Sequence, residues 1–90
     1  MGIAALRIKI MPKSLDVNLE DIKSSVEKEI SNLGAQNTTF SEEPIAFGLK
    51  ALIMQTAWPE EKSIDIAEEA LKKVTDVSSI EVVDYRRAFG

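Results

Sequence analysis

Apolar and polar residues alternate strictly at the start of the chain. Ala4, Leu6, Ile8 and Ile10 fall on one parity, Ala5, Arg7 and Lys9 on the other. Period 2 predicts a strand with one wet face, ended by Met11-Pro12-Lys13-Ser14. The period then changes. Leu19, Ile22, Val26, Ile30 and Leu33 recur at spacings of three and four, the stripe of an amphipathic helix with Lys23, Glu27 and Lys28 on its other side. Asn18 is a good N-cap, Asp21 resembles the acid of a capping box, and Gly34 closes the helix as C′. Gln36 to Glu43 is polar enough for an edge strand, and a bend from Pro44 to Gly48 follows. Leu49 to Ala57 is apolar on both parities, as a strand in mid-sheet or facing a partner would be. Trp58-Pro59-Glu60-Glu61-Lys62 reads as a charged turn, with Trp58 capping the end of the core. Ser63 caps a second helix with inner stripe Ile64, Ala67, Leu71 and Val74; Asp65, Glu68 and Glu69 enrich its first turns. Val77 to Tyr85 is the last strand, with Ile80, Val82 and Val77 toward the core, and Arg86 to Gly90 reads as a tail.

The order βαββαβ, without repeats or linkers, predicts the α+β ferredoxin-like plan: a four-stranded antiparallel sheet with two helices on one face. Residues 1–90 then form one domain. The plan hosts many functions and by itself decides none.

Composition narrows the chemistry. The chain is 44% hydrophobic and 29% charged, which suits a globular domain, and has neither Cys nor His. Disulfides, thiolate nucleophiles, the usual zinc ligands and the usual general base near neutral pH are therefore missing. Glu42-Glu43, Glu60-Glu61 and Glu68-Glu69 are adjacent pairs that do not share a face, so they read as solvated surface. A net charge of −4 and a pI near 4.8 argue against a basic nucleic-acid footprint. No apolar run approaches a membrane span, and the start lacks the basic region of a signal peptide, so a cytosolic protein is expected. An RNA-binding sheet of this topology would carry aromatics on its central strands. Here Phe40, Phe47, Trp58, Tyr85 and Phe89 sit at strand ends and bends.

The bend is the most informative segment. Pro44 fixes φ and biases Glu43 toward extended geometry, while Gly48 permits a positive φ. Phe47, held between them, is either a lid on the domain's own core or a knob for a partner. Tyr85 is a core edge or a contact residue. Arg86-Arg87 is a solvated basic tip, or a cationic probe into a phosphate or metal site on another molecule.

The run Glu43-Pro44-Ile45-Ala46-Phe47-Gly48-Leu49-Lys50-Ala51-Leu52 resembles the signature of the elongation factor 1-beta family, most closely its short archaeal form. That form corresponds to the C-terminal exchange domain of the longer eukaryotic protein. Ile8-Lys9-Ile10-Met11-Pro12, Asp16-Val17-Asn18-Leu19-Glu20 and Val77-Ser78-Ser79-Ile80-Glu81-Val82 support it, so the resemblance covers essentially the whole chain. It implies a guanine-nucleotide exchange factor without bond chemistry, cofactor or metal of its own, acting on elongation factor 1-alpha. In the eukaryotic relatives an aromatic of the bend enters a pocket on the GTPase, and a Lys near the C-terminus approaches its Mg²⁺ and phosphate region. The resemblance places Phe47, flanked by Ala46 and Gly48, in the first role. It places Arg87 in the Lys position, with Arg86 as its substitute and Tyr85 beside them. Arg for Lys is a departure from the family pattern, because a bulkier, planar guanidinium need not reach the magnesium site as a compact ammonium does. Two other classes stay open from the residues alone: a regulatory module that dimerises through a sheet edge and binds a small ligand, and RNA binding by the sheet.

Overall fold

The computed structural model describes residues 2–87. Its elements run β1 (Ile3–Pro12), α1 (Leu19–Asn32), β2 (Gln36–Pro44), β3 (Lys50–Pro59), α2 (Ile64–Lys72) and β4 (Val77–Arg87). The sheet order is β2-β3-β1-β4 with every neighbour antiparallel, the expected ferredoxin-like plan.

The alternation in β1 does what period 2 requires. Ala4, Leu6, Ile8 and Ile10 are buried under the helices, while Ala5 and Arg7 are exposed on the open face. β3 lies between β1 and β2 and sends Leu52, Met54, Thr56 and Trp58 to the helix side. Ile22, Val26 and Ile30 of α1 and Ala67 and Leu71 of α2 close the core from above. Asn18 Oδ1 accepts the Glu20 N–H at 2.9 Å, so the cap is one-way, not the reciprocal box that Asp21 suggested; the Asp21 N–H goes to the Asn18 carbonyl. At the other end of α1, Gly34 has φ +100°; its N–H donates to Ser31 and that of Ala35 to Ile30, a Schellman closure. Ser63 caps α2 as expected, accepting from the Asp65 N–H.

Strand bounds correct the sequence reading in several places. Pro44, read as part of the bend, still belongs to β2 and pairs with Lys50, and Leu49, read as strand, precedes β3. Met11 and Pro12 do not end β1 but pair with Ser79 and Val77. Trp58 and Pro59 are not in a turn but complete β3 opposite Ala4 and Ile3. Arg86 and Arg87 are not a tail: they extend β4 opposite Ala5 and Ala4. Each extension is a cross-strand pairing, which local pattern does not carry. Residues 88–90, the remainder of the expected tail, lie outside the described residues.

Trp58 is wholly buried, and its indole N–H donates to the Lys62 carbonyl at 3.0 Å. Lys62 in turn sends its ammonium to the Leu33 carbonyl at the end of α1. Thr56, the one buried polar residue described, meets Thr38 Oγ1 at 2.8 Å and donates to the Gln36 carbonyl at 3.0 Å. It thereby pins a register shift in β2 where Asn37 has φ +55°. Thr56→Val keeps the shape and removes both bonds. It should lower stability by about 1–2 kcal/mol, read as a lower urea midpoint with unchanged slope.

On the surface, Lys23 Nζ lies 2.9 Å from Glu20 and 3.9 Å from Glu42. The hydrogen bond to Glu20 raises the lysine pKa above its ordinary value; burial opposes this and the charges of Glu20 and Glu42 add to it. The resulting stabilisation is complete below the ordinary lysine pKa and is lost as pH rises through the raised value, so it does not vary near neutrality.

Candidate partner-binding site

The β2–β3 bend is closed by two backbone bonds, from the Ile45 N–H to Leu49 O at 2.7 Å and from the Leu49 N–H to Ala46 O at 3.0 Å. The central residues of the second turn are Phe47, φ +57°, and Gly48, φ +81°. Positive φ at both central positions is the sign pattern of a type I′ turn, which suits Asn or Gly. Gly48 adopts it freely. Phe47 does so at about 1–2 kcal/mol, because its Cβ crowds the following carbonyl.

Phe47 gains nothing visible in return within its own fold, being 97% exposed. The lid reading thus does not describe this chain: the ring covers none of the core. A strained backbone and an exposed phenyl ring are both unfavourable in the free protein, and both are offset if the ring enters an apolar pocket. Ala46 and Gly48 flank it and are exposed as well.

The C-terminal candidates occupy the last rungs of β4. Arg7 pairs with Asp84 and Ile8 with Val82, so Val83 is an extra residue in β4. This bulge shifts the parity and brings Tyr85 to the face that Ile80 and Val82 occupy. Tyr85 lies opposite Leu6, half-buried against the core. Arg86 alternates to the open face, where its Nε is 3.1 Å from Asp84 Oδ2. Arg87 returns to the helix side, with Nε 3.4 Å from Glu60 Oε2. Both arginine side chains are 80% exposed. Exposed pairs of this kind contribute about 0–1 kcal/mol and are readily exchanged for a partner's anions.

The structure does not bring the two groups together. Ile10 pairs with Leu52 near the bend, whereas Ala4 pairs with Trp58 near the arginines. The candidates therefore sit at opposite ends of β3, separated by roughly 25–30 Å at about 3.3 Å per residue. The molecule is 42 Å long, so contact at both ends needs a partner surface of similar span. Sequence reasoning missed Glu60 as the counter-ion of Arg87, because the two meet only through the pairing of β1 with both β3 and β4. It also passed over Leu15, which is exposed in the connection before α1 among Lys13, Ser14 and Asp16.

Two other sequence candidates resolve into surface chemistry. Glu42 lies 3.6 Å from Lys50, and Glu43 lies 3.7 Å from Lys9. On the open face Arg7 donates to Gln55, so the cations of β1 are already engaged.

Residues 5–88 match the family model described as the EF-1 guanine nucleotide exchange domain. An elongation factor 1-beta of Methanothermobacter thermautotrophicus is 43% identical over 88 residues, covering 97% of this chain and 98% of the relative. One from Methanosarcina barkeri is 43% identical over 88 residues, covering 97% and 99%. One from Archaeoglobus fulgidus is 33% identical over 85 residues, covering 93% and 96%.

Proposed function

The chain belongs to the EF-1 guanine nucleotide exchange domain family, and from that membership we propose that it releases GDP from elongation factor 1-alpha so that GTP can replace it. The role is that of an exchange factor of translation elongation. The observation that carries the finer reading is the bend: an almost fully exposed Phe47 held at positive φ.

Nucleotide and Mg²⁺ order the switch segments of a GTPase. A factor that binds the nucleotide-free state more tightly must weaken nucleotide binding by the same factor, because the coupling is reciprocal. Insertion of Phe47 into a G-domain pocket supplies that differential binding. Arg87, at the far end of the sheet, supplies a cation that disfavours Mg²⁺ by repulsion. Neither contribution uses a general base, a nucleophile or a bound metal of the factor itself. The place of action is the cytoplasm, where elongation runs.

Release of labelled GDP from the cognate elongation factor 1-alpha, with and without this protein, tests the reading. A release rate that the protein leaves unchanged would refute it. Arg87→Ala is expected to slow stimulated release about tenfold, as loss of a charge contact of roughly 1.4 kcal/mol would. The defect should shrink when free Mg²⁺ is lowered, because repulsion of the ion then matters less. Arg86→Ala, on the opposite face, is expected to have the smaller effect. If Arg86→Ala has the larger defect, the cation roles are reversed.

A further inference from the structure

We propose that Leu15 is a second apolar anchor for the same partner, and that the groove beside it takes an apolar side chain from the GTPase next to the pocket that receives Phe47. This rests on the reading of Phe47 given above. Large apolar side chains are exposed at Ile3, Leu15, Ile45, Phe47, Ile66 and Val83 among the described residues. Ile45, Phe47 and Leu15 share one end of the molecule, although Leu15 comes from the connection between β1 and α1.

Leu15 is 61% exposed in a segment held at several points. The Lys13 N–H donates to Asp76 O at 2.9 Å, and Ser14 accepts from the Val17 N–H at its carbonyl and from the Asp16 N–H at its hydroxyl. Leu15 projects from this turn toward the bend. Its Cδ2 lies 3.8 Å from where a Cβ on Gly48 would stand. Leu15 thus stands against the residue that follows Phe47 in the bend. Between the two segments lies a groove of about 240 Å³, lined by Pro12, Leu15, Val17, Leu19, Leu49 and Lys50, among others. Val17 and Leu19 also pack on the core, and Ser14 and Lys50 add polar surface to the lining.

Size and continuity select the occupant. Small-molecule sites are typically about 300–1,000 Å³ and enclose most of the ligand, so this open groove is undersized for one. A single aliphatic side chain suits it. A surface that presents Phe47 outward and accepts a side chain alongside interlocks with its partner in both directions. Lys50, also in the lining, is already paired with Glu42.

Leu15→Ala should raise the concentration of factor needed for half-maximal GDP release about tenfold, as removal of a buried leucine side chain from an interface would. Leu15→Met should restore most of the loss. Ile66→Ala, an exposed apolar residue on α2, should leave the value unchanged. Combined with Phe47→Ala, the defect should be less than the product of the single defects, because one surface is being removed twice. Circular dichroism melting of each variant separates misfolding from lost contact. A folded Leu15→Ala variant with half-saturation within about twofold of the parent overturns the proposal. If Phe47→Ala is impaired in the same assay, the reading of Phe47 survives that loss; if it is not, the Phe47 contact fails as well, whereas only unchanged GDP release with the parent protein refutes exchange itself.

Discussion

Phe47→Ala is expected to lose roughly 30- to 1,000-fold of stimulated GDP release, the span of an interface hot spot worth about 2–4 kcal/mol. Its fold should be retained. The ring is 97% exposed and contributes no core area, so truncation opens no cavity. Alanine still sits at positive φ, so the backbone strain is unchanged. Phe47→Gly separates strain from contact. It removes a left-handed penalty of about 1–2 kcal/mol and gives back about 0.4–1 kcal/mol through a looser unfolded chain. A small rise in melting temperature should therefore accompany the same loss of exchange. Stability and activity moving in opposite directions at one residue is the signature of a group held for a partner. A folded Phe47→Ala variant with full exchange activity would remove the central support for the mechanism, and a large fall in its melting temperature would revive the lid.

The largest effect on stability is expected at Trp58. Trp58→Ala should cost about 3–5 kcal/mol, from lost transfer energy and the cavity left behind. Small domains have only about 5–15 kcal/mol in total, so much of the population would unfold on mild heating. Trp58 is the largest fully buried side chain, and it closes the core at the end of the sheet that carries the arginines. Its indole N–H also fixes the Lys62 carbonyl, and Lys62 caps α1 through Leu33. Loss of the ring should thus loosen the end of β3 and the C-terminus of α1 together. Trp58→Phe keeps most of the packing and drops the hydrogen bond, and should cost about 1–2 kcal/mol. Urea unfolding followed by far-ultraviolet circular dichroism measures both, since the chain's single Trp is the residue removed. A Trp58→Ala midpoint equal to that of the parent would show that the core closes without the ring.

Much of this was legible in the chain because the signals are local. The alternation of Ala4 to Ile10, the stripe from Leu19 to Leu33 with Asn18 and Gly34 at its ends, and the Ser63 cap all depend on neighbours a few residues away. The bend was legible for the same reason, since Pro44 and Gly48 restrict backbone angles directly. The parity of Tyr85 was not. A period-2 count from Ile80 and Val82 puts Tyr85 on the open face; the extra residue Val83 returns it to the core side. Bulges are set by the partner strand, and a single strand carries no mark of them.

The sequence by itself determined the element order, the ferredoxin-like plan and the family resemblance, and through that resemblance it singled out Phe47 as the candidate contact residue. Each rests on composition, short-range periodicity or a contiguous motif. Tertiary structure alone decided that Phe47 points away from the core at positive φ, and that Arg86 and Arg87 are strand residues on opposite faces, paired to Asp84 and Glu60. It also decided that the arginines stand at the far end of the sheet from the bend, and that Leu15 stands beside Gly48. These facts follow from register, bulges and loop closure across distant parts of the chain. The energies that fix them come from pairings that do not exist until the sheet has formed.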